Sequence, residues 1–199
     1  MNRQGIGGSA MANVLIVYAT DWGSTKKMAG AVAAGVASVE GAKATLKTAE
    51  EAKADDVMAA DALILGSPVH MGSMDWRVKR FIDQVCSGLW MQDKINGKVG
   101  AVFVTGGGFG NAGGGCEIAM LSMMGNLAEL GLLLVPLPKN TPGYPKGGLH
   151  WGPYGRSMTE DLQPIEGGVP DERTEAARHH GANVARVATA IKGKTLFVT

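Results

Sequence analysis

Five short aliphatic runs alternate with segments of helical periodicity, and that alternation restricts the fold more than any other feature of the chain. The runs are 13–18 (NVLIVY), 42–48 (AKATLKT), 61–66 (DALILG), 98–105 (KVGAVFVT) and 132–137 (LLLVPL). Four are almost continuously apolar, the pattern of central strands covered on both faces. Only 42–48 alternates, as an edge strand does. Between the runs, 25–39 carries Met28, Val32 and Val36 at helical spacing. The segment 75–86 gathers Val78, Phe81, Ile82 and Val85 on one face and leaves Arg77, Lys79 and Arg80 off it. Helical segments over 50–60, 116–130 and 170–192 complete the set. Strict strand–helix alternation with short connections predicts a parallel sheet with right-handed crossovers and helices on both faces. Five strands fit the order 2-1-3-4-5.

The stretch 138–169 breaks the pattern. It is rich in glycine and proline and has no periodicity, too long for an idle loop and so expected to be functional or to form an interface. Residues 1–10 are glycine-rich and precede Met11, and are expected to be a disordered extension or to lie upstream of the natural start. Residues 11–199 then form one domain with a long excursion.

Bulk properties remove several functions. Nineteen basic and eighteen acidic residues leave a net charge of +1, which disfavours a nucleic-acid binder relying on phosphate electrostatics. No apolar run reaches the roughly 18–20 residues that span a bilayer, and the N-terminus lacks a signal-peptide core. Two cysteines, Cys86 and Cys116, imply no disulfide framework and favour a cytoplasmic location.

In an open sheet of this order, ligands bind beyond the carboxyl ends of the strands, where the loops after strands one, three and four meet. The first loop offers Thr20, Asp21, Trp22, Gly23, Ser24 and Thr25, then a helix N-terminus: an anion site without a lysine, suited to a phosphate monoester. The second reads Ser67, Pro68, Val69, His70, Met71, Gly72, with Pro68 and Gly72 fixing a bend and side chains able to lie along a ring. The third, 104–117 (VTGGGFGNAGGGCE), holds seven glycines in fourteen residues. Thr105, Gly106, Gly107 and Gly108 begin it, and their amides can approach a ligand that side chains would keep away. The G-x-G-x-x-G spacing inside it also matches a pyrophosphate turn. The acid that would grip a ribose after the next strand is absent, however, since Pro138-Lys139-Asn140 stands there.

In this order the loops resemble flavodoxin-like FMN proteins, and specifically the WrbA-type NAD(P)H:quinone oxidoreductases. The matching words are TDWGST, GSPVHMGSMDWRVKRFID, GLW at 88–90, LGLLLVPL, GPYG at 152–155 and EAARHHGANVA, spread over residues 11–192. The resemblance implies a flavodoxin-like three-layer α/β sandwich and a bound FMN, with NAD(P)H as co-substrate and a quinone as acceptor. It implies a homo-oligomer, dimer or tetramer, whose flavin sites a neighbouring subunit completes. Residues 20–25 would hold the phosphate, Val69 to Gly72 the ring's reactive edge, and Thr105 to Gly108 its pyrimidine edge. Trp22 and Trp90 would line the substrate side. Where the family often has a histidine before the glycine of its last strand, this chain reads Ala128-Glu129-Leu130-Gly131. A one-electron flavodoxin carrier and an FMN-binding module without reductase activity are the alternatives. Such carriers are typically acidic, which a charge of +1 does not match. No metal site is expected, and His179 and His180, adjacent on a helix, point to different faces.

Overall fold

The computed structural model describes residues 11–108 and 113–197. Residues 1–10 and the 109–112 part of the glycine-rich stretch, for which sequence expectations were given, lie outside the described residues. The elements follow one another as β1 (Ala12–Tyr18), α1 (Ser24–Ala37), β2 (Ala42–Thr48), α2 (Ala54–Ala59), β3 (Ala62–His70) and β4 (Ser73–Met74). Next comes a helical body of α3 (Trp76–Phe81), a π-helical turn (Ile82–Cys86) and α4 (Ser87–Trp90). The chain continues through β5 (Val99–Gly106), α5 (Cys116–Glu129), β6 (Leu133–Leu134), α6 (Tyr144–Gly147), β7 (Gly148–Leu149), β8 (Gly152–Arg156) and α7 (Asp171–Ile191).

The sheet runs β2-β1-β3-β5-β8-β7, with the pairings among β2, β1, β3, β5 and β8 all parallel. Alternate residues of the central strands feed two cores. Val14, Ile16, Ile64 and Phe103 face α1 and α7, whereas Leu15, Val17, Leu63, Leu65 and Val102 face α2, the α3–α4 body and α5. The expected order 2-1-3-4-5 is therefore present with its fifth place shared. Leu133 and Leu134 pair with the start of β5 at Val99 and Gly100, and β8 takes over beside Val104, Thr105 and Gly106. The apolar run 132–137 yields only two strand residues because Pro136 and Pro138 follow and have no N–H to give a ladder. The 138–169 excursion, which shows no periodicity in sequence, thus supplies a strand to the sheet.

Two further differences bear on the site. β3 runs on through Pro68 to His70 and turns back into β4, with His70 opposite Ser73 and positive φ at both Met71 (48°) and Gly72 (78°), the two-residue turn that hairpins favour. The expected bend after the third strand is thus a hairpin. Arg77, expected away from the core face of its helix, turns inward, as described below.

His180 on α7 is completely buried, and neither ring nitrogen has a hydrogen-bond partner among the described residues. Burial pushes its pKa down to about 4. Because the unfolded chain binds this proton near pH 6.5 and the folded chain refuses it until about pH 4, stability falls on acidification across that window. The loss approaches about 3 kcal/mol by the lower end. Urea midpoints measured from pH 7 to 4.5 are expected to drop more steeply for the wild type than for His180→Leu.

Candidate functional site

The site is assembled at the carboxyl end of the sheet, where β1, β3 and β5 release their loops. α1 begins immediately after β1, and its N-cap, Gly23, has φ 88°, makes no side-chain cap and is followed by no acid in the first turn. The Gly23 amide donates to Thr20 Oγ1 at 3.1 Å. That leaves the first-turn amides, which have no acceptor within the helix, aimed outward. Ser24 lines the cleft beside them, whereas Lys26 and Lys27 of the same turn are not among its lining residues and Lys27 pairs with Asp171 at 2.8 Å. Thr25, next to Ser24, is buried and its hydroxyl meets the buried Thr105 hydroxyl at 2.7 Å, fastening the start of α1 to the end of β5. This geometry suits a phosphate held by neutral donors and a helix dipole.

A cleft opens from that cradle, lined by Asp21, Trp22, Ser24 and Thr25 from the first loop, Pro68, Val69 and His70 from β3, and Thr105, Gly106 and Gly107 from β5. The glycines matter for their missing side chains. A Cβ on Gly106 would stand 3.4 Å from Val69, and one on Gly107 would press to 2.8 Å from Met158 Sδ. A hollow of about 590 Å³ shares Trp22, Ser24, Ser157 and Met158 with the cleft and continues along Pro164, Ile165, Gly167 and Gly168. That volume lies in the range of small-molecule sites. An uncapped helix start opening into a cleft with glycine and flat apolar walls fits a flavin mononucleotide, one phosphate and one ring system, better than a pyrophosphate.

Other residues expected at the site take supporting places. Ser67 is fully buried, and its hydroxyl accepts from the Asp75 amide at 2.8 Å. Gly108 is buried and its carbonyl accepts from Arg156. Met71 and Gly72 form the hairpin tip, with the Met71 side chain fully exposed. Trp90 is not brought to the cleft within this chain. It lines a depression with Asp93, Asn96, Glu129, Leu130 and Gly131, near the amino end of β5. Residues 128–131, where the family histidine would stand, lie at that same end, so no side chain there reaches this chain's own cleft.

Three features were not legible as site residues. Ser157 and Met158 of the excursion complete the cleft wall. Arg156 is buried, donating from Nε to the Met158 carbonyl at 2.9 Å and from Nη2 to the carbonyls of Gly108 at 2.7 Å and Thr159 at 3.0 Å. It ties the excursion to the glycine-rich loop. The Tyr154 hydroxyl reaches the Gly106 carbonyl at 3.4 Å, and burial raises its pKa to about 12, so it remains a neutral donor.

The third feature is an ionic cluster beside the cleft. Asp75, the N-cap of α3, is fully buried and accepts from the Arg77 amide at 2.8 Å, from Arg77 Nε at 2.9 Å and from Nη2 at 2.6 Å. Burial works to raise the Asp75 pKa, and the Arg77 hydrogen bonds and charge overcome it, holding the carboxyl below its usual range. Hydrogen bonding to Asp75 raises the Arg77 pKa in turn. Arg77 also meets Asp21 at 2.9 Å and, at 3.7 Å, Glu50. His70 lies between the carboxylates, with Nδ1 3.0 Å from Asp75 and Nε2 3.4 Å from Asp21. Asp21, His70 and Asp75 are close enough to share a metal, but the guanidinium already compensates both carboxylates. The available signal was Arg77 itself. A cation in the first turn of a helix opposes the helix dipole and calls for a nearby acid.

Burial raises the pKa of both cysteines, Cys86 to about 12, so neither carries a thiolate at the site. Among the described residues, no helix is long and apolar enough to cross a membrane.

Comparison with known proteins agrees with this fold. The family model described as the flavodoxin domain matches residues 15–108. A protein of Aquifex aeolicus named flavodoxin is 37% identical over 187 residues, covering 92% of this chain and 91% of its own. An NAD(P)H dehydrogenase (quinone) of Methylocella silvestris is 32% identical over 210 residues, covering 92% of this chain and all of its own. Among solved structures, a WrbA-like flavodoxin from Agrobacterium tumefaciens superposes with a TM-score of 0.66 at 27% identity, over 91% of this chain and 99% of that one. Fold and relatives agree: the chain belongs to the flavodoxin-like family that includes the WrbA-like proteins and the NAD(P)H dehydrogenases (quinone).

Proposed function

We propose that the cleft binds FMN and that the protein moves two electrons from NAD(P)H to a quinone, the two substrates using one site in turn. The observation that carries this reading is the uncapped, acid-free start of α1 opening into a glycine-walled cleft at the sheet's switch point. The names of relatives matched over more than nine-tenths of this chain support the quinone. Bound FMN supplies the redox chemistry, and the chain supplies placement and electrostatics. Thr20, Ser24, Thr25 and the first-turn amides hold the phosphate. Pro68, Val69 and His70 lie along the ring, Asp21 and Trp22 border its entrance, and the amides of Gly106, Gly107 and Gly108 offer hydrogen bonds where negative charge gathers. The hairpin tip, with Met71 and Gly72, closes one end.

Trp22 is 83% exposed and Trp90 45%, and Met71, Trp76 and Met91 are also open. Such apolar exposure fits a homo-oligomer in which a second copy brings its Trp90 toward this cleft. Gel filtration with light scattering is expected to give a dimer or tetramer, and a monomer at micromolar concentration counts against that arrangement. The two free, buried cysteines suit a reducing cytoplasm.

Two measurements test the reading. Purified or FMN-reconstituted protein is expected to show flavin bands near about 375 and 450 nm. Steady-state rates of NAD(P)H oxidation by a soluble quinone are expected to give parallel double-reciprocal lines. The name of the Aquifex relative favours a second reading, an electron carrier without turnover of its own. A protein that binds FMN but oxidises no NAD(P)H with any quinone belongs to that reading or to a binding module.

A further inference from the structure

We infer that His70 is the proton donor to the quinone oxygen, held and aimed by the buried Asp75–Arg77 pair. This inference rests on the reductase reading. The reaction needs such a donor: NAD(P)H delivers two electrons and one proton as a hydride, whereas a quinone becomes a quinol only after taking two electrons and two protons. The balance is quinone + NAD(P)H + H⁺ → quinol + NAD(P)⁺, and the unassigned proton must arrive at an oxygen in a partly dry cleft.

Of the chain's four histidines, His70 is the one that lines that cleft. Its Nδ1 lies 3.0 Å from Asp75 Oδ2, and Asp75 is fully buried and fixed in turn by Arg77 and by the α3 amide of Arg77. A buried carboxylate on Nδ1 keeps a proton on that nitrogen and leaves Nε2 as the exchangeable position, the division of labour that orients an acid–base histidine in other enzymes. Nε2 stands 3.4 Å from Asp21 Oδ2, too long for a strong hydrogen bond, so Asp21 steadies the imidazolium without capturing it. In the transfer, the Nε2–H bond breaks and an O–H bond forms on the quinone. The ring becomes neutral with its Nδ1–H still on Asp75. Solvent then returns the proton, since the side chain is 37% exposed. The charged groups facing His70 are Asp21 from the loop after β1, and Asp75 and Arg77 from α3. Glu50, after β2, acts only through Arg77.

The test compares His70→Gln and Asp75→Asn with wild type in two acceptor reactions, a soluble quinone and ferricyanide, which takes electrons without a proton. With the quinone, His70→Gln is expected to fall about a hundredfold. It is also expected to lose a limb of the wild-type pH profile and to shrink the solvent deuterium isotope effect. Because His70 also lines the cleft, both rates are read at FMN saturation, set by a flavin-fluorescence titration of each variant, and the ratio of quinone rate to ferricyanide rate is expected to fall at least about tenfold. Asp75→Asn is expected to give an intermediate loss with the quinone and a displaced pH profile. Equal losses with both acceptors, or a wild-type quinone rate and pH profile in His70→Gln, overturn the inference and leave the reductase reading standing. A wild-type protein that binds FMN but reduces no quinone overturns both.

Discussion

Ser24→Asp is expected to weaken FMN binding about a thousandfold while leaving the apoprotein as stable as before or slightly more so. The two effects have opposite signs because one position serves two partners. At the start of α1 a carboxylate meets the positive end of the helix dipole, worth about 0.3–1 kcal/mol in the empty protein. α1 has neither a side-chain cap nor an acid in its first turn, so this benefit is available and unused. A phosphate occupying the same amides meets that carboxylate as a like charge. At about 4 Å and a near-surface dielectric response the repulsion is about 4 kcal/mol, about three orders of magnitude in affinity. Ser24→Asn, of the same size and uncharged, is expected to remain within about tenfold of wild type. The measurement is a fluorescence titration of apoprotein with FMN, beside a thermal melt of each apoprotein. Unchanged affinity in Ser24→Asp would move the phosphate elsewhere and with it the reading of the whole cleft.

The strand-to-helix junction where we propose that cradle was legible in the sequence because its signal is local. Thr20, Gly23, Ser24 and Thr25 stand together where a strand gives way to a helix, and hydroxyls, a glycine and a helix start in that order offer donors to an anion or a cap to the helix. The sheet was legible for a similar reason. Continuous apolar runs such as 13–18 and 98–105 announce strands buried on both faces, and the alternation of elements makes them parallel with right-handed crossovers. What could not be read depended on distant partners. The two residues of β6 look like a six-residue strand until Pro136 and Pro138 are given their missing donors. β8, GPYGR, has the composition of a loop and is a strand only because β5 offers it an edge at Val104, Thr105 and Gly106. Arg77 shares its segment with Lys79 and Arg80 as a run of cations, yet only Arg77 finds Asp75 and Asp21. Trp90 had a sequence word, GLW, but words do not carry direction. The fold sets it at the amino end of β5, away from this chain's own cleft.

The second large effect is expected far from the cleft, at Gly35. α1 and α7 cross where each helix presents a glycine to the other's backbone. A Cβ built on Gly35 would fall onto the carbonyl oxygen of Arg178, 2.7 Å from its carbon and 3.0 Å from the Ala182 nitrogen. A Cβ on Gly181 would likewise run into the Val32 carbonyl. These obstacles are helical backbone, so relief requires the two helices to part, opening the core that holds Met28, Val32, Val184 and Ala185. Gly35→Ala is therefore expected to destabilise by about 3 kcal/mol or more, although alanine is intrinsically the better helix former by about 1 kcal/mol. For a chain of this size that lowers Tm by about 6–12 °C. Gly30 in the same helix is exposed and has nothing within 4 Å of a built Cβ. Gly30→Ala is accordingly expected to raise stability by about 0.5–1 kcal/mol. Melting both variants beside the wild type separates propensity from packing within one helix. A Gly35→Ala protein that melts with Gly30→Ala, above the wild type, would mean that the helices do not meet at these glycines. The start of α1, where we propose the phosphate is held, would then not be braced by α7.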